Sequence, residues 1–370
     1  MSMAAARLRS AGAGLDGPPA RHLPVGSFDH LLRLSDDTGL FEHACGAIPR
    51  REHGYCVDDV ARGLVLLSRE AELSPPLVAL TSTYLAFVAH AQDATGQCRN
   101  RLGFDRQWRD IAGVADCWGR AVWGLGSLAA TGGLPWLEAE ALQRFELSAS
   151  RRSPWRRATA FAALGALAVL SAHPDHGGAR ALLADALPAL GGHSGDPSWP
   201  WPEPRLTYAN ASVAEALFGA GDALGDERAV AEGLGLLAWL FDVQTTAGRL
   251  SPVAVGGWSR GEPRPAFDQQ PIEVAALADA AARAFALTAE RHWLGCVERC
   301  ARWFAGDNDS GVAMYDTVTG GGFDGLEPGS RNANQGAEST LAALATLQHG
   351  ARLEQAAKLE GAGSLGGVRC

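Results

Sequence analysis

The chain has 370 residues, 47% of them hydrophobic, enough for one large domain or two ordinary ones with a sizeable core. A net charge of -9 and a pI of about 5.6 make nucleic acid and anionic membrane surfaces poor partners. Seven scattered cysteines without a CxxC pair suit a reduced, cytoplasmic setting, and neither a signal-peptide h-region nor a run of about 18 apolar residues is present, so no membrane span is expected.

Residues 1–24, rich in Ala, Gly, Arg and Pro, read as a disordered arm. From 25 to 350 helical periodicity is nearly continuous, with no convincing period-2 strand. The pattern predicts helices over about 27–35, 56–70, 77–92, 116–130, 136–149, 155–171, 178–189, 208–221, 226–242, 270–288, 290–304 and 335–349. Short links such as 131–135 fit antiparallel neighbours, whereas the longer intervals 36–55, 93–115, 190–207, 243–269 and 305–334 hold many of the Gly and Pro residues and several Trp. Residues 351–370 read as a flexible tail.

A loose motif recurs along this array. Five times a polar, aromatic or glycine-bearing loop runs into an Ala/Leu-rich helix with carboxylates or amides in its first turns, and a sixth start, RRSPWRRATAFAALGAL, is basic. The starts lie roughly 40 to 65 residues apart, the period of a helical hairpin with its loops. Segments such as AFAALGALAVL and STLAALATL are apolar nearly all round, whereas the helices between them are amphipathic. An inner ring wrapped by an outer one explains that alternation. The expected fold is all-α, an (α/α)6 toroid, with the polar helix starts converging on one mouth.

The first start, HGYCVDDVARGL, brings His53, Tyr55, Asp58, Asp59 and Arg62 together. Adjacent helical residues point about 100° apart, so one aspartate faces the mouth and the other caps the helix; both as dipole-stabilising carboxylates is the plainer reading. Next, the loop 100–110 carries Arg106 and Trp108, followed by Asp116 and Trp118, a mixture that suits a hydroxyl-rich ligand or else scattered surface ion pairs. In WPWPEPRLTYANA, Trp199 and Trp201 flank prolines beside Glu203, with Tyr208 and Asn210 following. Indole faces stack on sugar rings, and a carboxyl pressed against them has a raised pKa; the alternative is a structural Trp-Pro plug. FDQQPIEV supplies Gln269, Gln270 and Glu273, and the last start supplies Asn334, Gln335 and Glu338, the last of these either lining a pocket or closing a capping box. No HExxH, GxSxG, Walker or Rossmann signature occurs, so no metal and no cofactor is expected.

Together FEHACGAIPRREHGYCVDDVARGL, GFDRQW, DCWGRAVWGLG, WPWPEPRLTYANA and NQGAEST resemble a family of bacterial (α/α)6-toroid, six-hairpin glycosidase-like proteins over residues 27–349. That resemblance implies association with glycosyltransferases and mannoside-acting enzymes. Val60 stands where the pattern has a polar residue after the aspartate pair, and Cys56, Cys117 and Ala209 also depart from it. The leading expectation is a glycoside hydrolase acting on an oligosaccharide, with Glu203 as general acid, Asp59 as base or nucleophile, and Asp58, Asp116 and Glu338 in reserve. Tyr55, Trp108, Trp118, Trp199, Trp201 and Tyr208 would bind sugar rings, and His53, Arg106, Asn210, Gln270, Asn334 and Gln335 would hydrogen-bond hydroxyls. An epimerase using His53 and His193 is the second reading. A non-catalytic glycan-binding partner of a glycosyltransferase is the third. A terpenoid cyclase fits poorly, because a hydrocarbon pocket does not want these amides and guanidiniums and no DDxxD spacing occurs.

Overall fold

Local signals start many of the helices. Pro75, Pro135 and Pro271 sit in first turns, where a missing N–H is harmless, and the Asp226 side chain accepts from the N–H groups of Arg228 and Ala229. The computed structural model describes residues 23–131, 133–192 and 195–365. Twelve helices occur among the described residues: α1 (Asp29–Arg33), α2 (Val57–Leu67), α3 (Pro75–Ala91), α4 (Asp116–Ala129), α5 (Pro135–Ala149), α6 (Arg156–Ala172), α7 (Gly177–Leu190), α8 (Asn210–Leu224), α9 (Glu227–Val243), α10 (Pro271–Thr288), α11 (His292–Phe304) and α12 (Ala337–Leu365).

The even-numbered helices form the inner ring. Each packs on the next, and α12 returns to pack on α2. Helices α3, α5, α7, α9 and α11 each back the inner helix that precedes them in the chain, and the short α1 packs on α12. Enclosure explains the all-round apolar sequences: every residue of α6 from Arg157 to Leu167, and of α8 from Asn210 to Gly221, is buried. Helices α4 and α6 meet backbone to backbone. A Cβ on Gly126 would strike the Gly165 carbonyl, and a Cβ on Gly165 would strike that of Val122.

Two expectations shift. The last helix continues to Leu365 rather than stopping near 349, because ARLEQAAKLE is rich in strong helix formers. Ten two-residue strands, in five antiparallel pairs, brace the loops; two residues are too few to display a period. Residues 1–22 of the expected arm lie outside the described residues. At the end of the ring away from the helix starts, Arg69, just after α2, makes a bidentate pair with Asp279 of α10, both contacts at 2.8 Å, and His349 of α12 lies 2.7 Å from the same carboxylate. This buried cluster spans the seam where the first and last inner helices meet.

Candidate active site

The inner-helix starts are linked side chain to side chain. Arg157, at the start of α6, donates to Asn210 Oδ1 at the start of α8 (2.8 Å), and Asn210 Nδ2 donates to Glu273 Oε2 at the start of α10 (2.9 Å). The Ala209 N–H donates to the other Glu273 oxygen, from a left-handed conformation with φ of 45°. Tyr208, just before α8, donates its phenol to Asp116 at the start of α4, and its ring lies under the Arg157 guanidinium at 5.1 Å. Arg62, one turn into α2, reaches Glu338 at the start of α12. All these starts therefore share one mouth.

A cleft of about 300 Å³ opens there. From α2 and the loops around it come Glu42, His43, Cys56, Asp58, Asp59, Arg62 and Arg101; from the segments before and within α10 and α12 come Asp268, Gln270, Asp324, Asn332, Glu338 and Ser339. Both aspartates of the first motif line it, but they differ. Asp59 is buried, 2% exposed, with Oδ2 accepting from the Cys56 thiol (3.0 Å) and Oδ1 3.3 Å from Arg62 Nη2. Burial pushes its pKa up to about 6, opposed by Arg62 and assisted by Glu338. Asp58 is more open. Asn100 Nδ2 donates to its Oδ2 (2.9 Å), and Arg120 Nε lies 3.4 Å from its Oδ1.

Across the cleft, Asp268 is half-buried and Asp324 more deeply set. Burial is the main cause that raises both carboxyls, with Glu327 and Asp324 adding to the shift at Asp268. Asp268 Oδ1 is a buried oxygen with no hydrogen-bond partner, as are Asp58 Oδ1 and Asp59 Oδ1. Gly325 leaves the space that Asp268 occupies, since a Cβ there would meet its carboxylate. Asp324 is oriented by Ser339 Oγ (2.5 Å) and by Asn334.

Glu42, Cys56 and Asp59 bring their donor atoms within 4.8 Å of one another. They do not fit a cation. Arg101 pairs with Glu42 and Arg62 with Asp59, and burial together with three nearby carboxylates pushes the Cys56 thiol well above its usual range, so it stays protonated.

Several expected site residues belong elsewhere. Trp199 and Trp201 are buried in a cluster with Trp239, and Trp199 also meets Trp258, so neither offers a face to a sugar. Glu203 is not pressed against indole: Trp199 Nε1 bonds its backbone oxygen, while its carboxylate accepts from Arg157 Nη1 (2.8 Å), away from the cleft lining. Its carboxylate is an ion-pair partner of Arg157 at the start of α6. Trp118 is buried and donates to the Ser148 carbonyl, and Tyr55 is buried against Phe41 with its phenol on Asp36. Trp108 packs on Phe87 and His90, and Arg106 pairs with Asp37 on the open rim. Asn210 is fully enclosed in the Arg157–Glu273 link, and Asn334 and Gln335 tie loops together through Asp324, the Ala44 N–H, Thr319 and Asp316. Asp116 meets Tyr208 outside the cleft lining, and His53 stands at the rim beside His43, ring centroids 4.8 Å apart. His193 lies outside the described residues. Asp58, Asp59, Gln270 and Glu338 do line the cleft. Glu42, Arg101 and Asp268 were not among the expected residues; the signal for Asp268 was its place two residues before Gln270.

No protein-family model matches the chain, and no curated protein matches it in sequence. Its backbone is similar to that of a cellobiose 2-epimerase from Bacillus thermoamylovorans, with a TM-score of 0.66 and 10% identity over 88% of this chain and 96% of that one. A sugar epimerase from a ruminal bacterium gives 0.63 and 12% identity over 87% and 94%. A GH76 α-mannanase from Bacteroides thetaiotaomicron gives 0.58 and 9% over 82% and 88%. The chain thus has the (α/α)6-toroid fold that its helix pattern implied.

Proposed function

We propose that the chain is a carbohydrate-active enzyme, and within that class a glycoside hydrolase whose carboxyl pair is Asp268 and Asp58. The observation that carries this reading is one cleft holding both kinds of carboxyl that hydrolysis needs. Asp268, raised by burial and by the negative charges of Glu327 and Asp324, is the proton donor to the glycosidic oxygen. Asp58, oriented by Asn100 and Arg120, is the carboxylate that activates water or attacks the anomeric carbon. Asp59 sits behind it, enclosed by Cys56 and Arg62, and sets the local charge rather than touching substrate. The excess of carboxylates over guanidiniums in the cleft lining favours a neutral over an anionic sugar. The GH76 α-mannanase among the similar structures supports the hydrolase reading.

The test is a panel of α- and β-linked manno-, gluco- and galacto-oligosaccharides, with products read by mass spectrometry. Cleavage by the parent that is lost in both Asp268→Asn and Asp58→Asn is the expected result; cleavage retained in both removes this pair from the chemistry.

A second reading, sugar epimerisation, is supported by His43 at the cleft edge, its ring edge-on to that of His53, and by the epimerases among the similar structures. Incorporation of solvent deuterium at C2 of an uncleaved reducing disaccharide would select it.

A further inference from the structure

Beside the cleft runs a second, more open groove of about 510 Å³, lined by Glu52, His53, Arg101, Phe104, Asp105 and Arg109 among others. Arg101 lines both spaces, so they adjoin at that residue. Phe104 is the groove's aromatic. Its ring centroid lies 6.0 Å from that of Phe41, tilted by 46°, and 5.9 Å from the Arg51 guanidinium, yet 49% of the residue remains exposed. An aromatic ring held between such neighbours and still half exposed offers surface to the C–H face of a sugar.

The loop that presents it is stiff. Gly103 N–H donates to the Gln107 carbonyl (3.0 Å), Arg106 N–H donates to the Gly103 carbonyl (2.8 Å), and Arg109 pairs with Asp105 at 2.7 Å across the turn. Gly54, at φ of 69°, lets the loop before α2 lie directly on the Leu102 carbonyl. Phe104 is therefore held in place before a ligand arrives, which limits the entropy lost on binding. Around it stand two carboxylates, two guanidiniums and an imidazole, suited to hydroxyls and not to a wholly apolar guest.

We infer that this groove is a saccharide subsite, so that the substrate is an oligosaccharide continuing past the cleft at Arg101, with a sugar ring seated on Phe104. The inference rests on the carbohydrate reading above, and its test separates the two. Rates are measured on manno-, gluco- and galacto-oligosaccharides of two to six units, and hexasaccharide binding is measured by calorimetry in an Asp268→Asn background. Phe104→Ala should lower the hexasaccharide-to-disaccharide ratio of kcat/KM about fivefold and weaken hexasaccharide binding by a similar factor, the scale of one aromatic contact. Phe104→Trp should preserve both. Trp136→Ala, which removes an exposed aromatic at the start of outer helix α5, should change neither. Binding that depends on Phe104 without any turnover would uphold the subsite and remove the hydrolase. Turnover with an unchanged length ratio, or an equal loss at every length, would overturn the subsite. Neither binding nor turnover in the parent would overturn both.

Discussion

Asp59 and Glu338, from the first and last inner helices, share one guanidinium nitrogen: Arg62 Nη2 lies 3.3 Å from Asp59 Oδ1 and 2.8 Å from Glu338 Oε2. Two carboxylates that would repel each other are joined through a cation that is itself largely enclosed. Burial works against the charge on Arg62, but Glu338, Asp59 and Asp58 outweigh it and hold it protonated.

Arg62→Gln should therefore destabilise the fold by about 3 kcal/mol at pH 7, since a buried carboxylate is left without its partner. The deficit should shrink at pH 5, where Asp59, raised to about 6, takes up a proton. Urea denaturation at the two pH values checks this; an equal deficit at both would show that the loss is packing and not charge.

Glu203→Gln should keep kcat within about threefold of the parent, because a glutamine still accepts from Arg157. Asp268→Asn should lower kcat by about 10²-fold or more if it removes the general acid. Parallel assays on any cleaved substrate from the panel discriminate between the two carboxyls.

Glu273 is raised by burial to about 7, despite the donors from Asn210 and Ala209. A carboxyl whose folded pKa is raised binds its proton more tightly when folded. Its contribution is thus fully present below its unfolded value of about 4.5 and is lost as pH rises through about 7. Glu273→Gln should flatten that part of the stability–pH curve. It should also cost about 1 kcal/mol or more, because an amide cannot accept both donors with its two ends. Melting temperatures between pH 4 and pH 8 measure both effects.

Gly126→Ala should destabilise by about 1–3 kcal/mol, since the new methyl meets the Gly165 carbonyl and one inner helix must move off the other. An alanine accepted without loss in a denaturant titration would contradict the close approach of α4 and α6.

The architecture was readable because it rests on repetition. Twelve periodic segments, with apolar-all-round helices alternating with amphipathic ones, leave few arrangements other than two nested rings. The mouth was readable for a related reason: polar groups at the starts of otherwise apolar helices have to meet somewhere, and Asp58, Asp59, Gln270 and Glu338 do. Side-chain partners across loops were not readable. An indole next to proline looks the same in sequence whether it stacks on a sugar or, like Trp199, on Trp239 and Trp258. Glu203 beside those indoles suggested a raised acid, but Arg157, many residues earlier, determines its surroundings. Asp268 was not readable because its carboxyl is raised by burial first, with Glu327 and Asp324 adding to it, and all of these arise only once the segments before α10 and α12 are side by side.

The closing contact between α12 and α2 sets the order of events on the ribosome. The neighbour of the first inner helix is the last to be synthesised, so α2 waits with one flank bare until nearly the whole domain has emerged. The contacts that complete the ring, including those of Arg69 with Asp279 and His349, join residues 210 and 280 positions apart. Contacts of such sequence separation are slow to form, and apolar surface stays uncovered meanwhile. Refolding should accordingly pass through a long-lived open arc of hairpins, a species that binds hydrophobic dyes and is captured by chaperones before the circle shuts.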